Sequence, residues 1–125
     1  MIKFTKENVV MLHSILSGVA GSTVGIREEG LLESAIESAY QTFDGQELYP
    51  TVEEKGARMC HSLVSNHAFV DGNKRIGILT LMAFLELNGA KINPTNEEII
   101  RVGLGLAKGE ITYDSLLMWI KENRI

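Results

Sequence analysis

From Ile76 to Leu87 the chain is apolar on almost every side, interrupted only by Gly77, Thr80 and Glu86. A helix with apolar groups all round its surface has to be covered all round, so this segment is expected to be the buried axis of a helical bundle. It is too short and too interrupted to span a membrane. Asn88-Gly89 supplies its stop, because either residue tolerates the left-handed conformation that closes a helix. The helix then begins near Asn73.

The remaining punctuation predicts further helices packed against that axis. Thr5 can cap a helix carrying Val9, Leu12, Ile15 and Leu16, with Gly18 as its stop and Gly18 to Gly25 as a loop. Leu31, Leu32, Ala35, Ile36 and Ala39 mark a second helix, and Gln41 to Pro50 reads as a loop. Thr51-Val52-Glu53-Glu54 is a capping box opening a third helix that runs through Val64, and Thr95-Asn96-Glu97-Glu98 repeats the pattern. The second box opens a helix with Ile99, Ile100, Val102, Leu104 and Leu106 as its apolar set, stopped at Gly109. Thr112 or Asp114 can start a last helix through Leu116, Leu117, Trp119 and Ile120, leaving a short polar tail.

With 125 residues, 45% of them hydrophobic, the chain can bury a real core, and the expectation is one all-α domain over residues 1–125. A formal net charge of −4 argues against a general nucleic-acid or membrane-surface binder, so any anion site must be local. The single cysteine, Cys60, excludes an internal disulfide and a multi-cysteine zinc site, and its apolar surroundings suggest an inert thiol. Residues 1–10 have no signal-peptide core, which points to the cytoplasm.

The chemistry gathers in His67-Ala68-Phe69-Val70-Asp71-Gly72-Asn73-Lys74-Arg75, immediately before the apolar helix. The first turn of a helix presents unpaired N–H groups and a partial positive charge, which attract anions. Lys74 and Arg75 add two cations to that same end, at roughly 0.3–1 kcal/mol each unless an anion offsets them. Gly72 lets the backbone approach a ligand, and Asn73 can orient the turn. Asp71 is a hard oxygen ligand of the kind that holds Mg²⁺ beside substrate phosphates. His67 can take a proton from an attacking hydroxyl, whereas Phe69 is suited to anchoring the loop in the core. Asp-Gly-Asn alone is an ordinary turn and Lys-Arg alone a solvated pair. Base, carboxylate, glycine turn and cations within nine residues favour a site. His13 and His61 sit within helical patterns without a chelating partner and read as structural.

These nine residues resemble the signature of the Fic/Doc superfamily, His-x-Phe-x-Asp/Glu-Gly-Asn-Gly/Lys-Arg, at every position. Lys74 and the stretches Gly30-Leu31-Leu32-Glu33-Ser34-Ala35 and Leu48-Tyr49-Pro50-Thr51 resemble its death-on-curing (Doc) branch, so the resemblance covers nearly the whole chain. It implies a compact helical fold and a toxin of a type II toxin–antitoxin pair. By that resemblance His67 is the general base toward a hydroxyl on a protein target, Asp71 holds Mg²⁺ on ATP, and Gly72, Asn73, Lys74 and Arg75 bind phosphates. Two departures from the adenylyl-transferring pattern stand out: Lys74 replaces a second glycine, and Ile78 replaces a second arginine. In Doc-like proteins these accompany an inverted ATP that presents its γ-phosphate, which implies a protein kinase acting on a threonine of elongation factor Tu.

No Ser or Thr in the chain has Glu four residues later, so the self-inhibitory Ser/Thr-x-x-x-Glu element of many Fic enzymes is missing. The resemblance implies restraint by a separate Phd-like antitoxin whose disordered tail folds into a groove near the site, with candidate walls on the first helices. The alternatives are an adenylyltransferase and a catalytically inactive antitoxin-binding module.

Overall fold

The computed structural model describes residues 1–19, 28–67 and 72–125. Among them the chain forms α1 (Lys6–Val19), α2 (Glu29–Glu37) with a 3-10 turn at Ser38–Tyr40, α3 (Val52–Asn66), α4 (Asn73–Leu87), α5 (Asn96–Lys108) and α6 (Tyr113–Asn123). The fold is all-α apart from a two-stranded hairpin, β1 (Thr42–Phe43) and β2 (Gln46–Glu47).

The helix starts follow the capping chemistry. Thr51 Oγ1 accepts from the Glu54 amide at 3.1 Å while Glu54 accepts from the Thr51 amide at 3.2 Å, and Thr95 and Glu98 repeat the exchange. Thr5 and Asn8 make the same reciprocal pair ahead of α1. Thr112, not Asp114, caps α6 by accepting from the Ser115 amide. Gly89 (φ 81°) and Gly109 (φ 77°) turn the chain out of α4 and α5 in the left-handed conformation.

Helices α3 and α4 lie against each other and divide the core in two. On one side Phe4, Val9, Leu32, Ile36, Met59, Leu63, Ile76 and Phe84 pack α1 and α2 onto the pair. On the other, Cys60, Val64, Ile78, Leu81, Leu85, Val102, Leu106, Leu116 and Ile120 pack α5 and α6. Helix α4 supplies side chains to both, which is why it is apolar almost all round. Gly56 and Gly77 let the two helices come together: a Cβ at Gly77 would stand 2.6 Å from Val64 Cγ2 and 3.2 Å from the Cys60 carbonyl.

Several details depart from the sequence expectation. Helix α1 continues through Gly18 to Val19, and the rest of the expected loop, residues 20–25, lies outside the described residues. Ile15, expected on the buried face of α1, is exposed, as are Ile100 and Leu104 of α5 and Leu87 at the end of α4. Helix α3 runs past Val64 to Asn66. Within the expected 41–50 loop, Asp44 (φ 52°) and Gly45 (φ 77°) form the left-handed pair of a tight hairpin turn. Lys55, buried on α3, secures that hairpin by donating to Glu47 at 2.8 Å and to the Tyr49 carbonyl. The C-terminal tail is tied down too, since Arg124 forms a β-bridge with Ile92 and the Ile125 amide donates to the Lys91 carbonyl at 2.8 Å.

Candidate active site

The end of α3 and the start of α4 present the chemistry-bearing residues. His67 closes α3 in the left-handed conformation (φ 50°, ψ 50°) and is exposed. Gly72 opens α4, also left-handed (φ 81°, ψ 14°), and the first turn closes where the Ile76 amide donates to the Gly72 carbonyl at 2.9 Å. Asn73 is buried and Lys74 and Arg75 are exposed on the first turn, which contains no acidic residue. Gly72, Asn73, Lys74 and Arg75 are therefore brought together at one helix start. Phe69 and Asp71 lie outside the described residues.

Within the first turn of α4 the charge is unbalanced. Among the described residues neither Lys74 nor Arg75 pairs with a carboxylate; the ion pairs are Lys3–Glu37, Lys6–Glu33, Lys55–Glu47 and Arg124–Glu53. Two cations at the positive end of a helix dipole repel it and each other, and a bound anion relieves both. The same two side chains form one wall of a groove of about 240 Å³, whose other wall is Ile99, Ile100, Gly103 and Leu104 of α5. Gly103 faces Lys74 across the groove, since a Cβ there would stand in ordinary van der Waals contact with Lys74 Cβ, at 3.5 Å. The exposure of Ile100 and Leu104 is thereby explained, as they line this groove rather than the core. An anion held by Lys74 and Arg75 would have an apolar surface beside it, the mixed lining common to ligand sites.

The other titratable groups divide clearly. Burial pushes the Cys60 thiol up to about 12, so it stays protonated and inert. His61 is structural, as its sequence context suggests: Arg58 Nη2 lies 2.6 Å from its Nδ1, and burial together with that guanidinium lowers its pKa. His13 is different. It is 2% exposed on α1, and its Nε2 lies 3.6 Å from where a Cβ on Gly72 would stand. The ring thus reaches the turn that opens α4, a placement missed by treating it as an incidental core histidine. The signal was its spacing, since His13 falls four residues after fully buried Val9 and so on the inward face of α1. Among the described residues no group of three His, Cys, Asp or Glu side chains could hold a metal ion.

The central helix thus starts in a glycine turn, with an exposed histidine at the end of α3 and, on its first turn, two exposed cations without carboxylate partners among the described residues. The Fic/DOC family model matches residues 3–85, and the chain belongs to that family. It is also similar to Toxin Doc of Mycolicibacterium smegmatis, with 36% identity over 87 residues. That match covers 70% of this chain and 65% of the relative, so the chain spans just under two thirds of the relative's length. The family match takes in α3, the motif from His67 to Arg75 and nearly all of α4.

Proposed function

We propose that the chain is a Doc-like toxin that transfers the γ-phosphoryl group of ATP to a Ser or Thr hydroxyl of a protein target, with elongation factor Tu as that target. The observation that carries this reading is the pair of cations, Lys74 and Arg75, on the acid-free first turn of α4 beside the groove, with the exposed His67 at the end of α3. Family membership and the likeness to a protein named Toxin Doc support the toxin class.

In this scheme His67 accepts the proton of the target hydroxyl as its oxygen attacks the γ-phosphorus. The bond between that phosphorus and the β-γ bridging oxygen breaks, and ADP leaves. Phosphoryl transfer depends chiefly on alignment and on cations that neutralise developing charge. Lys74 and Arg75 supply two of these, and Gly72 and Asn73 shape the turn that orients them. Mg²⁺, held by Asp71, would add charge neutralisation on the phosphates. The acid-free first turn of α4 fits phosphates; Asp71 is assigned from its place in the motif. Lys74 and Ile78 stand where adenylyl-transferring relatives would have glycine and arginine, which favours phosphoryl over adenylyl transfer; the latter is the second reading.

The chain would act in the cytoplasm, where translation and ATP are found; among the described residues no helix is long and apolar enough to cross a membrane. Its partner would be a Phd-like antitoxin with a disordered tail that folds on binding. The test is addition of the purified chain to a bacterial translation extract. Arrest of synthesis that requires Mg²⁺ and His67 is expected, and undiminished synthesis would remove the elongation-factor target.

A further inference from the structure

We propose that His13 is a positioning residue for the turn that opens α4, holding Gly72, and through it Lys74 and Arg75, in the geometry that receives phosphate. This rests on the phosphate-site reading above.

The starting observation is burial. An imidazole that is 2% exposed has left water, and a buried polar ring is destabilising unless its nitrogens find partners. His13 does have an interaction partner, as do Gly72 and Asn73. A leucine would fill the same volume on the inward face of α1 without that requirement, so packing alone gives no reason for histidine. Position supplies the reason. The ring edge lies against Gly72, with Nε2 and Cδ2 at 3.6 and 3.9 Å from the Cβ site of that residue. Gly72 is itself left-handed, and its carbonyl accepts the first backbone hydrogen bond of α4.

The contact ties α1 to the first turn of α4, ahead of the point where core side chains begin to hold that helix, from Ile76 onward. From Gly72 to Arg75 both cations are exposed, Gly72 is half-buried and Asn73 is buried. A planar ring beside the glycine therefore limits the excursions of a turn whose described residues, Gly72 to Arg75, belong to neither cluster of the apolar core. Reacting groups displaced by about 1 Å can lose on the order of a hundredfold in rate, so a modest loosening here would be visible.

The experiment compares the full chain with His13→Leu and His13→Gln in three measurements: thermal midpoint, Mg²⁺-ATP affinity, and hydrogen exchange of a peptide covering residues 72–78. The expected result for His13→Leu is faster exchange in that peptide with α5 and α6 unchanged, and ATP binding weakened about tenfold. His13→Gln, which keeps a polar group, is expected to recover part of both. Unchanged exchange and unchanged ATP affinity in a folded His13→Leu chain would overturn the proposal. If His13→Leu does not fold, His13→Gln is judged by the same two readouts against wild type. Absence of ATP binding by the wild-type chain would defeat the phosphate-site reading, and the exchange of the 72–78 peptide would still decide whether His13 holds the turn.

Discussion

His67 closes α3 in a conformation that costs a residue with a Cβ about 1–2 kcal/mol, whereas glycine adopts it freely. The residue is exposed and returns little packing for that strain. Glycine at 67 loses about 0.5–1 kcal/mol through its more flexible unfolded chain, so His67→Gly is expected to leave stability unchanged or raise it by up to about 1.5 kcal/mol. The same variant is expected to lose transfer activity. Urea melts and activity assays check both, and a clear drop in stability would mean that the histidine is held for the fold. His61 makes the opposite case. Its pKa is lowered by burial and by Arg58, so the unfolded chain binds a proton that the folded chain resists. Stability is then fully present above the unfolded value of about 6.5 and falls as pH drops through the lower folded value. Replacing it by glutamine should flatten the dependence of stability on pH in that window, and an unchanged slope would assign the dependence elsewhere. At this scale the motif was legible in the sequence, because every member is adjacent to the next. His13 was not legible as part of the site, since its relation to Gly72 depends on how α1 crosses α4.

Among the elements, α3 and α4 determine the rest, as each faces both halves of the core. Their close approach depends on Gly77. An alanine there would put its Cβ within 2.6 Å of Val64 Cγ2, and the nearby Cys60 carbonyl is backbone and cannot swing aside. Gly77→Ala is expected to destabilise by about 1–3 kcal/mol despite alanine's better helix propensity. A denaturant midpoint at or above wild type would contradict the packing described. Helix starts were readable because a capping box is local: Thr51 with Glu54 and Thr95 with Glu98 complete it within four residues. The Asp44-Gly45 hairpin was read as loop because its strands are two residues each, too short for any alternation to register. Ile100 and Leu104 were placed in the apolar set of their helix by spacing alone. Periodicity identifies an apolar face without saying whether a helix or a groove covers it.

For the molecule as a whole, a chain of net charge −4 places two cations on the acid-free first turn of α4, beside a groove with an apolar far wall. In the proposed function that local reversal of sign draws a small anion without making the protein a general polyanion binder. The family was legible from nine consecutive residues, and the helical architecture from caps and periodicity. The contacts that join α1 and α5 to the α4 turn could not be read from sequence, because they are made between residues far apart in the chain. The most direct measurement incubates the wild-type chain and His67→Ala with Mg²⁺-ATP and a bacterial translation extract, followed by mass spectrometry of the modified proteins. The account predicts a phosphoryl group on elongation factor Tu with wild type and none with His67→Ala. An adenylyl group, or no modified protein at all, would contradict it.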